Sequence, residues 1–362
     1  MISVLAIDDD ARARARLRKA LEARGDIRVV AEAEDPVVAR RLLDRVTPDV
    51  ITLDLLMPRM DGLTFLRKLM AGRPMPVVVV STVTQEDAPV CLEALALGAV
   101  GVVGKVALDH PRLWERFGTE LRREVRAAAA SSPRRRPVAM EGRLAAAAGA
   151  CRRVVLMGAS TGGTEAIAAI LSRLPEESPP IAIVQHMPPG FTASFAERLD
   201  RASAVRVREA RDGEPLECGV ALVAPGDAHL ELAGSRARPR VALGHGPPVN
   251  RHRPSVDRLF LSAAELLGPE AVGVLLTGMG DDGARGLKAL REAGAATIGQ
   301  DQATCVVYGM PAAAAALGAC EQILPLEQIP EALLAASASG AATGGRACRS
   351  GATIAKEIGR RA

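Results

Sequence analysis

At 362 residues the chain has room for about two domains of roughly 100–200 residues each. A hydrophobic share of 48% fills sizeable cores and excludes a disordered chain, while an aromatic share of 2% excludes a stacking platform for single-stranded nucleic acid and leaves those cores to Val, Leu, Ile and Ala. The net charge of +4 is unevenly placed: residues 121–150 hold seven Arg and two Glu, a net +5 that exceeds the whole-chain value, so no basic surface remains elsewhere for DNA.

The first ten residues carry Asp8, Asp9 and Asp10 where a signal peptide would carry positive charge, and no apolar run approaches the ~18 residues that span a bilayer. A cytoplasmic protein without membrane insertion is expected. The six cysteines (Cys91, Cys151, Cys218, Cys305, Cys320, Cys348) form no Cys-x-x-Cys pair, so free thiols are expected rather than a zinc knuckle or a disulfide framework.

In chain order, Val4–Ile7, Val29–Ala31, Val50–Leu53, Val77–Val80 and Val100–Val103 read as buried strands. Between them Ala13, Leu17, Ala20 and Leu21 share a helical face, as do Val38, Leu42 and Val46, and the arginines at 12, 14, 16 and 18 read as a solvated helix side. Five strand–helix units predict a doubly wound parallel sheet over residues 1–120. The Ala/Arg/Pro composition of 121–150 reads as a flexible linker. The alternation then resumes over 151–340 with Val154–Met157, Ile181–Val184, Val220–Val223 and Val272–Leu276 as strands, and with a helical stripe Ile167, Ile170, Leu171, Leu174 stopped by Pro175. The expected class is α/β, a second doubly wound, mainly parallel domain following the first, with 341–362 a flexible tail.

In an open parallel sheet, ligands sit beyond the carboxyl ends of the strands. Asp8 and Asp9 follow the first strand, Asp54 the third, while Ser81 and Lys105 end the fourth and fifth. Any one acid there could be an ordinary helix cap; all five residues in this order point to a site. Crowded carboxylates favour a divalent cation, and Mg²⁺ fits. A central Asp beside it can attack a phosphoryl donor, with Lys105 and Ser81 contacting the new oxygens. The residues Ile7-Asp8-Asp9, Pro48 to Asp54, Met57 to Gly62, Ser81 and Lys105 resemble a response-regulator receiver domain, a flavodoxin-like (βα)5 fold. The resemblance implies Asp54 as phosphoacceptor and Asp8, Asp9 and Asp54 as Mg²⁺ ligands. Lys105-Val106 departs from the usual Lys-Pro and leaves the aim of Lys105 open.

In the second half Gly158-Ala159-Ser160-Thr161-Gly162-Gly163 places a serine on a tight strand-to-helix turn, where helix-start N–H groups can stabilise an oxyanion. Such a turn can equally cradle a phosphate. His186 lies just past the next strand, and Asp281 and Asp282 sit in a glycine loop past a later one, so a serine, a base and an orienting acid can converge on one sheet edge. Pattern alone does not choose Asp281 over Asp282. His110 lies in the first half; His229, His245 and His252 lack an equally clean strand before them, and His252, within Asn250 to Ser255, suits substrate recognition or loop structure.

These motifs, with Gln185 to Thr192, Ala224-Pro225-Gly226, Asn250 to Asp257, Leu276 to Gly283 and Gln300 to Pro311, resemble the catalytic domain of chemotaxis protein-glutamate methylesterases of the CheB type, in which a receiver precedes the esterase. The resemblance implies Ser160 as nucleophile, His186 as base, Asp282 as orienting acid, the Met279 N–H for the oxyanion and Thr161 in support, with no cofactor at the esterase site. It further implies a phosphorylation-activated esterase that demethylates glutamyl esters, and deamidates glutamines, on the cytoplasmic helices of methyl-accepting chemoreceptors, with a histidine kinase as phosphodonor. A transcriptional regulator would instead need a basic recognition helix, and a non-catalytic adaptor would be expected to have lost part of the triad.

Overall fold

The computed structural model describes residues 1–57, 61–82, 87–105, 111–131, 142–145 and 153–338. The first unit runs β1 (Ile2–Ile7), α1 (Ala11–Glu22), β2 (Ile27–Ala33), α2 (Pro36–Leu43), β3 (Val50–Leu53), α3 (Gly62–Gly72), β4 (Val77–Thr82), α4 (Ala88–Ala96), β5 (Gly101–Lys105) and α5 (Pro111–Ala130). Its parallel strands lie in the order β2-β1-β3-β4-β5, so the chain reverses direction beside β1 and β3 and leaves a crevice at their carboxyl ends. The inner strands β1, β3 and β4 are apolar over most of their length because both faces of the sheet are covered there, whereas the edge strand β2 exposes Arg28 and Val30. Leu5, Ile7, Ile51 and Leu53 pack under α3 and α4, while Val4, Ala6, Val50 and Val78 pack under α1 and α5.

The second unit is a seven-stranded, wholly parallel sheet in the order β14-β13-β12-β6-β7-β9-β8. Its elements are β6 (Val154–Ala159), α6 (Gly163–Arg173), β7 (Ile181–Gln185), α7 (Phe191–Ala202), β8 (Arg206–Glu209), β9 (Val220–Val223), the antiparallel hairpin β10 (His229–Ser235) and β11 (Arg238–Gly244), α8 (Val256–Leu266), β12 (Ala271–Leu275), α9 (Ala284–Glu292), β13 (Ala296–Gln300), α10 (Met310–Ala316), β14 (Gln322–Leu324) and α11 (Ile329–Ala338). Ile167, Ile170 and Leu171 of the expected stripe are fully buried, and α6 stops at Arg173 because Pro175 holds Leu174 extended. The expected α/β class therefore holds for both units.

Three expectations need correction. Residues 121–130 are not linker but the last ten residues of α5. Phe117, Leu121 and Val125 fall four apart on one helical face, all buried against the first sheet, and the alanines that follow are strong helix formers. Charge there is not simply solvated: Arg122 and Glu124 are buried, and Arg122 Nη1 donates to the Ala20 carbonyl at 2.6 Å. Likewise Arg14, expected on a solvated face, donates to the Asp8 carbonyl at 2.6 Å, while Arg12, Arg16 and Arg18 are exposed. Finally, Cys218 is disulfide-bonded, whereas Cys91, Cys305 and Cys320 are free. Val106, His110 and residues 341–362 lie outside the described residues. Among the described residues no helix is long and apolar enough to cross a membrane.

The two units share an apolar seam. Leu92 of α4 joins the core beneath α6 and α7, and Phe191 of α7, 1% exposed, joins the core beneath α3 and α4. This seam sets α5 over the carboxyl edge of the second sheet.

Candidate active site

Ser160 follows β6 on a turn that only glycines permit. A Cβ at Gly158 would fall 2.2 Å from Val256 Cγ1, and one at Gly163 would fall 2.2 Å from Gln185 Oε1. Gly162 has φ of +80°, and a Cβ there would fall 2.6 Å from Val306 Cβ. The Ser160 backbone is held on several sides: its N–H donates to Thr277 O (3.0 Å), and its carbonyl accepts from Gly163 N (2.8 Å) and Gln185 Nε2 (2.9 Å).

His186 follows β7, and its Nε2 lies 2.8 Å from Asp282 Oδ2. The imidazole is 3% and the carboxyl 2% exposed, so the pair is screened from water. The other ring nitrogen, Nδ1, is buried without a partner. No hydrogen bond joins His186 to Ser160; both side chains line one cavity of about 600 Å³, together with Thr161, Met279 and α5 residues. Asp281, one residue before Asp282, is exposed.

Asp282 is the most heavily liganded carboxylate of the site. Oδ1 accepts from Ser255 Oγ (2.8 Å), Asn250 Nδ2 (2.8 Å) and Asp257 N (3.3 Å), and Oδ2 also accepts from Val256 N (2.7 Å). Ser255 stands at the N-cap of α8 without capping it, because its hydroxyl is given to Asp282 and the Asp282 carboxylate takes the first free N–H groups of the helix. Burial disfavours the charged form, but the bonds from His186, Asn250 and Val256 prevail and hold the carboxyl well below the usual range. Asn250 spends its second amide hydrogen on Asp257 Oδ2 (2.7 Å). Burial, and then the neighbouring Asp282 charge, push Asp257 upward.

His252 lies face to face with His186, ring centroids 3.7 Å apart and planes 5° from parallel. Burial, then the charges of His186 and Arg123, drive its pKa far below the ordinary value. Arg123 Nη1 of α5 lies 3.1 Å from His252 Nδ1, and Thr161 Oγ1 donates to Glu124 Oε2 at 3.4 Å, so α5 touches both sides of the cavity. The other histidines are elsewhere: His229 is buried, with its ring between Pro247 O and Ser255 N–H, and His245 is bonded to Asp227 O.

In the first unit Asp8, Asp9 and Asp54 bring carboxylate oxygens within 4.8 Å of one another. Lys105 Nζ lies 2.6 Å from Asp54 Oδ2 and 2.8 Å from Asp8 Oδ2, which answers the question of its aim. Burial raises the Asp54 pKa against the opposing pull of Lys105. Burial would lower that of Lys105, but Asp54 and Asp8 outweigh it and the shift is upward. One ammonium cannot neutralise three carboxylates, and the buried Ser81 hydroxyl has no partner; this donor set fits a hard divalent cation with a ligand beyond it.

The sheet edges thus bring together Ser160, Thr161, His186, Met279 and Asp282 in one place and Asp8, Asp9, Asp54, Ser81 and Lys105 in another. Sequence reasoning missed the carboxylate cradle of Asn250, Ser255 and Val256, and it placed His252 in substrate recognition or loop structure. One signal was present: Ser255-Val256-Asp257 opens a helix in a polar cluster, and a helix start is an anion site.

A family model described as CheB methylesterase matches residues 155–333, and one described as response regulator receiver domain matches residues 4–117. A protein-glutamate methylesterase/protein-glutamine glutaminase of Chromohalobacter salexigens is 49% identical over 346 residues, covering 94% of this chain and 98% of its own. The one numbered 2 in Pseudomonas aeruginosa is 49% identical over 337 residues, covering 92% and 96%. The crystal structure of the Thermotoga maritima CheB methylesterase catalytic domain, 41% identical, covers 51% of this chain and 97% of its own with a TM-score of 0.49.

Proposed function

The chain belongs to the protein-glutamate methylesterase/protein-glutamine glutaminase family, a receiver joined to a CheB-type methylesterase, and from that premise we propose that Ser160 is the nucleophile, His186 its base and Asp282 the orienting acid. The protein is a phosphorylation-regulated methylesterase of chemosensory adaptation, with glutaminase activity. Its substrates are glutamyl methyl esters and glutamines on the cytoplasmic helices of methyl-accepting chemoreceptors, and it works in the cytoplasm. Ser160 Oγ attacks the γ-carbonyl while His186 accepts the hydroxyl proton. Nδ1, the ring nitrogen left unpartnered, is the basic atom, because Nε2 is committed to Asp282. The ionised Asp282 fixes that tautomer and stabilises the imidazolium. The Met279 N–H receives the oxyanion and Thr161 supports the nucleophile. His186 returns its proton to the departing methanol or ammonia, and water then hydrolyses the acyl-enzyme to glutamate.

In the receiver, a histidine kinase supplies the phosphoryl group to Asp54. Asp8, Asp9 and Asp54 would hold Mg²⁺, which offsets charge on the incoming phosphoryl oxygens when bound. Lys105 and Ser81 bond the new oxygens, and Lys105 must leave its present ion pair to do so.

The observation that carries this reading is the buried His186–Asp282 pair, backed by four further donors on Asp282, in the cavity that Ser160 lines. Ser160→Ala should abolish methanol release from methylated receptor while acetyl phosphate still labels Asp54. Methanol release at the wild-type rate would remove Ser160 from the role.

A further inference from the structure

Helix α5 belongs to the receiver, yet it carries a carboxylate into the esterase cavity. Glu124 is 6% exposed, and its Oε2 accepts from Thr161 Oγ1, the hydroxyl next to Ser160 in the chain. Space is made for that carboxylate on the receiver side: a Cβ at Gly101 would stand 2.4 Å from Glu124 Oε2, a position no side chain could share. Arg123 Nη2 bonds Glu124 Oε1 at 2.9 Å, and its Nη1 reaches the ring of His252, which stacks on His186.

The substrate, on the reading above, is a glutamyl side chain carried on a helix, and the product is the same side chain as a free carboxylate. Glu124 is chemically that product: a glutamate on a helix, with its carboxylate bonded beside the nucleophile. We propose that the pocket beside Thr161 takes the substrate's glutamyl carboxyl group once α5 withdraws, and that in the unphosphorylated protein α5 fills it with Glu124 as a product-like pseudosubstrate. The charges of α5 also oppose turnover. The Glu124 anion stands in the same cavity as Met279, where negative charge must develop, and the Arg123 cation lies beyond the ring stacked on His186, which must become an imidazolium. Inhibition through this contact is competitive and intramolecular, so its relief lowers KM for the receptor.

The proposal rests on the esterase and glutaminase reading, and its test uses that chemistry on the chain itself. Glu124→Gln puts a near-isosteric carboxamide in that pocket. Ser160 Oγ then bonds to the side-chain carbonyl carbon, the C–N bond breaks, ammonia leaves with the proton held by His186, and water hydrolyses the acyl-enzyme, restoring glutamate at position 124. Full-length Glu124→Gln is incubated without phosphodonor and its α5 peptide analysed by mass spectrometry, while the same sample is assayed for methanol release from methylated receptor. Conversion of the amide to the acid at position 124, absent when Ser160→Ala is added and slowed by acetyl phosphate, is expected. In parallel, Glu124→Ala should lower the receptor KM about tenfold in the unphosphorylated protein with kcat little changed, the size of one lost hydrogen bond to a charged group. An amide that persists while the sample turns over receptor overturns the pseudosubstrate and leaves the esterase reading standing, as does an unchanged KM. A sample that hydrolyses neither its own amide nor receptor ester overturns both.

Discussion

Asp282 and His252 show how individual side chains here are set by burial and then corrected by partners. Asp282 accepts five hydrogen bonds, so its negative charge is a fixed feature of the fold. Its depressed pKa adds stability that is full above 3.8, the ordinary value, and is lost as pH falls through the folded value. His252 responds at higher pH. The unfolded chain takes up a proton at this ring as pH falls through 6.5, whereas the folded ring resists it, so stability declines below 6.5. His252→Phe keeps a flat ring against His186 but cannot titrate. Urea unfolding at about pH 7.5 and about pH 5 should show a smaller drop for this variant than for the wild type, because Asp282 is unaffected across that interval. An equal drop in both proteins would assign the pH dependence to another group.

Among elements, β6 and α8 meet at a point where one methyl group matters. The missing Cβ of Gly158 leaves room for Val256, whose N–H holds Asp282. Gly158→Ala should therefore push α8 outward, cost about 1–3 kcal/mol by overpacking and slow methanol release. Adding Val256→Ala should restore part of the rate, since the backbone N–H survives; a double variant no faster than the single one would break the link. Helix α5 is shared differently: Leu121 lies in the receiver core, while Arg123 and Glu124 face the esterase. Leu121→Ala should cost about 2–5 kcal/mol in denaturant unfolding. It should also raise esterase activity without phosphodonor, because the loosened helix no longer holds its charged side in the cavity.

For the whole molecule, the two sheets are coupled by the α4–α7 seam and by α5 and not by chain connectivity alone. Asp54 and Lys105 sit at one sheet edge, and Ser160 and His186 at another. Phosphorylation reaches the esterase only if these contacts differ in free energy between the two receiver states. Asp54→Ala should leave basal methanol release in place but remove its rise with acetyl phosphate. A chain lacking residues 1–150 should exceed the full-length basal rate and ignore the phosphodonor. A truncated chain no faster than the intact one would show that the receiver does not restrain the enzyme.

Composition and short-range pattern determined the two parallel α/β units, their chief strands and the sheet edges that carry the acids, the serine and the histidine. Buried parallel strands are continuous apolar runs, and the residues that follow them must face the crevice. Choosing Asp282 over Asp281 by residues alone was not possible, because the choice depends on which carboxyl meets the α8 helix start. The same holds for the Asn250 cradle, for the stack of His252 on His186 and for the helical course of 121–130. In that last stretch the arginines suggest solvent, yet the Leu121 and Val125 spacing finds a sheet to cover. Each of these depends on contacts between segments far apart in the chain, and burial against a distant partner, which local spacing does not encode, decided them.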